Sequence, residues 1–171
     1  MQVIPHTPEM IKSAIHKAEA LGSINNSILK GGGNMAGYLG EEAVAAFLGA
    51  DVVSNDEGVA KYNHDLLLDG KRIEVKTKQR KVAPLQEWPV SIAKTSKHQK
   101  ADLFMFVSLE FDKVLDIDHL KHVWLVGQKT PEEYFQEAKF LSKGTKDSYN
   151  GFIAHVDMYN LPMNKLDKVE V

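Results

Sequence analysis

The sequence predicts an α/β fold with a mixed central β-sheet flanked by helices. Three observations lead there: two stretches of helical periodicity at the start, a tight hairpin in the middle, and apolar strand-like runs alternating with short helical signals afterwards. With 171 residues, 43% of them apolar and 26% charged, the chain has the composition of one soluble globular domain. It divides into an N-terminal helical extension over 1–30, a core over 37–110, and C-terminal strands and a helix over 111–171. No repeat or low-complexity segment interrupts it.

Thr7-Pro8-Glu9 supplies an N-cap, an N1 proline and a first-turn acid, and Met10, Ile11, Ala14, Ile15, Ala18 and Leu21 form the apolar stripe that follows. Gly22 is the expected stop. Lys30-Gly31-Gly32-Gly33-Asn34 reads as a flexible linker, because its glycines lack the spacing and preceding strand of a phosphate loop. A second helix is predicted over 37–49, ended by Gly49. Helical spacing sets Glu41 beside Val44, Ala45 and Leu48 and turns Glu42 about 100° away. A carboxylate on an apolar face is costly unless it is paired or holds a metal. A place near the helix start accounts for the other acid without any function.

Asp69-Gly70, between two apolar runs, marks a two-residue type I′ turn with positive φ at both centres. That register pairs Leu68 with Lys71, Leu66 with Ile73 and Asp65 with Glu74. Alternation places Leu66, Leu68, Ile73 and Val75 on one face and Asp65, Glu74 and Lys76 on the other. Two carboxylates set opposite each other repel, and a cation between them would remove the cost.

Beyond the hairpin, 77–81 reads as a basic turn, 82–89 as irregular, and 90–93 as a short strand. Thr95 or Ser96 is placed to cap a short helix through Lys100. The run 101–109 is apolar enough for a central strand, 123–127 is another, and Thr130-Pro131-Glu132-Glu133 opens a helix through about Phe140. The last expected strand is 151–156.

Charge is unevenly spread. Residues 71–100 hold nine basic side chains against Glu74 and Glu87, a local +7, which leaves −9 for the rest of a chain whose net charge is −2. Positive charge beside paired carboxylates suits an anionic polymer substrate. The chain has no cysteine, so disulfides and thiol catalysis are excluded and a reducing cytoplasm is the expected setting. Any metal is then held by oxygen or imidazole, and carboxylates favour magnesium or manganese. No apolar run approaches the ~18 residues of a membrane span, and the first residues lack the pattern of a secretory signal.

An acid-bearing helix, Glu41 (or Glu42) in Gly-Glu-Glu-Ala-Val-Ala-Ala-Phe-Leu, precedes a hairpin carrying His64-Asp65 and then Glu74-Val75-Lys76. This ordered set resembles the PD-(D/E)XK nuclease superfamily and covers 37–109 of the chain. His64 stands where that family often has a proline. Thr95-Ser96-Lys97-His98-Gln99, followed by an apolar strand, is similar to the later core helix and strand of several phage and restriction members.

The resemblance implies a restriction-endonuclease-like core and a phosphodiesterase dependent on Mg²⁺ or Mn²⁺. Asp65, Glu74 and the Val75 carbonyl would hold the metal, with Glu41 acting directly or through water. Lys76 would orient the attacking water or stabilise the transition state. Lys78, Arg80, Lys97, His98 and Gln99 are the candidate nucleic-acid contacts. The expected partner is double-stranded DNA, in phage, repair or restriction metabolism, and a homodimer would supply two sites for double-strand cleavage. A junction resolvase, an RNA-acting nuclease and an inactive nucleic-acid-binding protein with this fold are the alternatives.

Other residues carry weaker signals. His119 and His122 have the spacing of a helix-borne zinc pair but no third ligand. Alternation turns His64 away from the Asp65 face. Trp88 and Trp124 read as packing residues rather than base-stacking platforms. No Ser-His-Asp elbow, Walker loop or EF-hand spacing occurs.

Overall fold

The computed structural model of the protein describes residues 1–21, 32–53 and 64–169. The expected stop at Gly22 and the Lys30-Gly31 start of the linker lie outside the described residues. Along the chain come β1 (Gln2–Ile4), α1 (Pro8–Leu21), α2 (Gly32–Leu48), β2 (Asp51–Val52), β3 (Leu66–Leu68) and β4 (Lys71–Arg80). They are followed by β5 (Pro89–Ala93), β6 (Leu103–Phe111), β7 (Leu120–Lys129), α3 (Pro131–Glu137), β8 (Lys139–Leu141) and β9 (Met158–Pro162).

The Thr7 hydroxyl accepts the Met10 N–H at 3.3 Å, which caps α1 as the sequence predicts. α2 starts earlier than predicted, taking in Gly32, Gly33 and Asn34. Burial explains this. Ala36, Leu39 and Ala43 form one buried stripe against the sheet, and tertiary packing outweighs the poor helix propensity of glycine. α2 ends at Gly49, whose φ is +67°, and the Ala50 N–H closes back on the Ala45 carbonyl at 3.0 Å.

The hairpin forms in the predicted register. Asp69 and Gly70 have φ of +49° and +78°, and Leu66 pairs with Ile73, Leu67 with Arg72 and Leu68 with Lys71. β4 does not turn at Thr77. It continues to Arg80, because it is paired in parallel with β6 from Ile73↔Leu103 to Arg80↔Glu110. The main sheet runs β1-β7-β6-β4-β3-β2, mixed because β4 and β6 are parallel and every other pair is antiparallel.

Helices α1 and α2 cover one face of this sheet, burying Leu39, Val44, Leu66, Ile73, Leu109 and Val123. On the other face Phe104 and Phe106 pack with Val90, Ile92, Tyr134 and Leu161. These come from α3 and a second sheet of order β5-β9-β8. Each large apolar side chain buried this way contributes about 1.5–3 kcal/mol. Tyr134 stacks on Phe106 at 5.5 Å, and its hydroxyl donates to the carbonyls of Tyr159 and Val90 at 2.8 and 3.2 Å.

Several predicted elements change. The helix expected through Lys100 is a 3₁₀ turn over Lys94–Ser96, with no side-chain cap. α3 stops at Glu137, and Phe140 lies in β8. The strand expected over 151–156 reduces to a single bridge at Ile153, and the last strand is β9. Asp147 causes this. Its carboxylate accepts the Tyr149 and Asn150 N–H groups and Gly151 adopts φ +73°, so the segment coils. No helix among the described residues is long and apolar enough to cross a membrane.

Helix α2 meets β4 at Gly40. A Cβ there would lie 2.0 Å from Thr77 Oγ1 and 3.1 Å from Thr77 Cβ, so only glycine permits this approach. The Thr77 hydroxyl is itself buried without a hydrogen-bond partner among the described residues. Gly40→Ala should therefore destabilise the fold by about 1–3 kcal/mol, measured by urea unfolding. Adding Thr77→Ala should recover part of that loss, a coupling that two independent sites would not show.

Candidate active site

The upper half of β4 presents Glu74, Lys76, Lys78 and Arg80 to the face away from α1 and α2, because side chains alternate along a strand. Glu74 is only 5% exposed. Its Oε1 accepts from Lys76 Nζ at 2.6 Å and from Gln99 Nε2 at 2.7 Å, while Lys76 Nζ also donates to Gln99 Oε1 at 2.8 Å. Three side chains thus close a ring of hydrogen bonds at the mouth of the crossover from β4 to β6. The sequence reading has Lys97 to Gln99 reaching either the site or the substrate, and the structure bonds Gln99 to the Glu-X-Lys pair through the turn that returns it to β4.

Asp65 departs from the predicted pairing. The ladder ends at Leu66↔Ile73, and Asp65 does not sit square across from Glu74. Its backbone N–H reaches the Ile73 carbonyl at 2.8 Å, and its Oδ2 accepts the Val75 N–H at 2.7 Å. The side chain thereby caps β4 where β3 has stopped. Because the N–H and C=O of one strand residue point to the same side, the Val75 carbonyl turns toward this gap as well.

The two glutamates of α2 separate cleanly. Glu42 binds Ser13 Oγ at 2.7 Å and Lys17 Nζ at 2.5 Å, tying α2 to α1, and these bonds hold its carboxyl below the usual range despite partial burial. Glu41 has no hydrogen bond or ion pair among the described residues. Burial first, and then the charges of Asp65 and Glu74, push its carboxyl up to about 8. Burial and the charge of Glu74 likewise push Asp65 up to about 7, against the opposing Val75 N–H and Lys76. Glu41, Asp65 and Glu74 therefore lie close enough to share one electrostatic problem.

A divalent cation with oxygen ligands, the group the family resemblance implies, fits part of this arrangement. Hydrogen bonds among the described residues engage one oxygen of Asp65 and one of Glu74, leaving the other oxygen of each. With the Val75 carbonyl they form a hard donor set. No three acidic or histidine side chains among the described residues close into a metal site by themselves, so the carbonyl is needed.

The remaining candidates disperse. Arg80 is 9% exposed and donates to Ser108 Oγ at 3.2 Å and the Pro89 carbonyl at 3.5 Å, with its guanidinium over the Trp88 ring. It is occupied inside the fold rather than presented to a polymer, and burial lowers its pKa to about 10. Lys78 lies 5.3 Å from the Phe152 ring, and burial lowers its ammonium to about 8. Lys97 and His98 are exposed beside Gln99.

His64 Nδ1 is buried without a hydrogen-bond partner among the described residues. His119 ends a 3₁₀ turn and His122 lies in β7, so the helix-borne pair does not exist. His122 Nδ1 and Trp124 Nε1 instead meet Glu110 at 3.0 and 2.8 Å. One contact had no sequence signal: Arg72 grips Asp102 through Nε and Nη2 at 3.0 and 2.7 Å, fastening the start of β6 to β4.

Compared with known families and characterised proteins, the chain matches no family model and no curated sequence.

Raised carboxyl pKa values make stability depend on pH. Between the ordinary carboxylate range and about 8 the folded state binds more protons than the unfolded chain, so stability falls as pH rises through this window. In metal-free protein, Glu41→Gln should flatten that fall. It should stabilise by on the order of 2 kcal/mol at pH 8 and change little at pH 5, measured by denaturant unfolding at each pH.

Proposed function

We propose that this protein is a metal-dependent nuclease of the PD-(D/E)XK type, with a restriction-endonuclease-like core, that hydrolyses DNA phosphodiester bonds. One observation carries the reading. Buried Glu41 of α2 and Asp65 before β3 feel each other's charge and that of Glu74, the buried carboxylate of β4 on which the Lys76 ammonium is fixed. A protein gains nothing in stability from such a cluster, and clusters of this kind mark chemical sites.

Asp65, Glu74 and the Val75 carbonyl would hold Mg²⁺ or Mn²⁺, with Glu41 joining through water. When bound, the metal supplies positive charge at the scissile phosphate and acidifies a water. A bound cation would favour the ionised forms of Glu41 and Asp65, which burial and neighbouring charge otherwise hold toward protonation. The reaction adds water to phosphorus, breaks one P–O ester bond, and leaves the departing oxygen to take up a proton. Lys76 meets the charge that grows on the phosphate oxygens or aligns the attacking water.

Gln99 holds that ammonium from the other side. Fixing Lys76 by two acceptors limits the rotamers that a free lysine would otherwise sample. Glu42 serves the helix pair and has no part in the chemistry.

The test is cleavage of linear, circular, branched and single-stranded DNA, and of RNA, with Mg²⁺, Mn²⁺ or EDTA. Cleavage should require a divalent metal, and Asp65→Ala and Lys76→Ala should each lower it about 10²-fold or more. Mg²⁺ should also raise the melting temperature of the wild type near pH 8 and fail to do so for Asp65→Asn. Activity that survives in EDTA or in Asp65→Ala would refute the mechanism.

A further inference from the structure

Beside the site lies a surface that the carboxylate chemistry does not use. The Phe135 and Tyr159 rings meet edge to face at 5.1 Å, and Tyr159 meets Phe140 at 5.3 Å. Phe140 stands on β8, the edge strand of the second sheet, and is 44% exposed. Lys97 Nζ lies 5.3 Å from the Phe135 ring and 5.1 Å from Tyr159, and Lys94 Nζ lies 5.6 Å from Phe140. Cations and aromatic rings alternate along this ridge. It begins two residues from Gln99, which is bonded to Glu74 and Lys76.

A large ring left exposed on a sheet edge exposes apolar area that a chain normally buries, and edges are usually blunted by charge. Here β8 carries the exposed Lys139, and two further cations, Lys94 and Lys97, sit over the rings. The ion pair that restrains Lys94, to Asp157 at 3.5 Å, is exposed and weak. Both lysines have long flexible stems, so each can move its ammonium from ring to phosphate at little cost. Rings that accept base faces, with cations spaced to meet phosphates, are the features of a single-strand binding surface. A duplex cannot use the rings, because its base faces are already covered by their neighbours.

Building on the nuclease reading, we propose that the Phe135–Tyr159–Phe140 ridge, with Lys94 and Lys97, binds an unpaired nucleic-acid strand, stacking a base on Phe140 and leading the chain toward Gln99. Substrates with a single-stranded arm are then favoured over uninterrupted duplex.

Fluorescence anisotropy in EDTA, with labelled oligothymidylate, a forked duplex and a blunt duplex, tests this without any need for cleavage. Phe140→Ala should weaken oligothymidylate and fork binding about tenfold and leave blunt-duplex binding unchanged. Phe140→Trp should retain affinity and show tryptophan quenching on binding that the wild type lacks. Lys94→Gln with Lys97→Gln should weaken binding and reduce its salt dependence. Equal binding of oligothymidylate by wild type and Phe140→Ala would overturn the proposal, as would binding of the blunt duplex alone. Absence of cleavage with Mg²⁺, with these affinities intact, would instead refute the nuclease reading and leave the ridge standing.

Discussion

Strand β4 pairs with β3 over Lys71–Ile73 and with β6 over Ile73–Arg80, and layers pack against both of its faces, so the side chains from Ile73 onward must suit one of two largely buried surroundings. Ile73 and Val75 join the core under α2. Glu74, Lys76, Lys78 and Arg80 project the other way, toward the second sheet. An apolar strand would fill both faces at lower cost. β4 instead places four ionisable groups in succession where water is scarce, and much of the surrounding architecture compensates them. Arg80 is satisfied by Ser108, the Pro89 carbonyl and Trp88, and Glu74 and Lys76 by each other and by Gln99.

Compensation is incomplete at one end, and the failure is local. Arg80 has acceptors and a ring, whereas Glu41 and Asp65 receive only the Val75 N–H between them from the described residues. Buried carboxylates answer such neglect by holding protons, which is what their raised pKa values describe. Gly40 maintains this state. By letting α2 approach Thr77 without an intervening Cβ, it fixes the next residue, Glu41, near the gap where β3 stops. Glu42, one residue further, rotates to α1 and finds Lys17 and Ser13. Adjacent glutamates thus receive opposite environments from helical geometry alone.

The hairpin's turn and its register from Leu66 to Ile73 were legible because the turn chemistry is local: Asp69-Gly70 sets both φ values and the register follows. Most of what failed to be legible depends on contacts distant in sequence. The charge of the 71–100 window could be counted, but counting cannot distinguish exposed Lys97 from Arg80, which the second sheet covers. β8 and β9 are short strands whose place comes from pairing with each other and with β5. The apolar run over 151–156 looked strand-like, yet Asp147 collects two backbone N–H groups and coils it. Asp65 was expected square across from Glu74 and instead accepts the Val75 N–H, because a strand end permits its side chain to replace a ladder partner.

The segment from Lys94 to Asp102 connects these themes. It leaves β5 of the second sheet, makes a 3₁₀ turn, returns Gln99 to Glu74 and Lys76, and is anchored to β4 by Asp102 on Arg72. Its first part touches Phe140 and Phe135 through Lys94 and Lys97, and its last part touches the catalytic candidates. Displacing Lys94 or Lys97 from their rings therefore acts on the same short stretch of backbone that positions Gln99. A ligand on the aromatic ridge and the geometry at Lys76 are consequently linked by fewer than ten residues of chain, with no need for a path through the core. On the proposed reading, that adjacency makes the second sheet part of the site rather than merely a cover for the first.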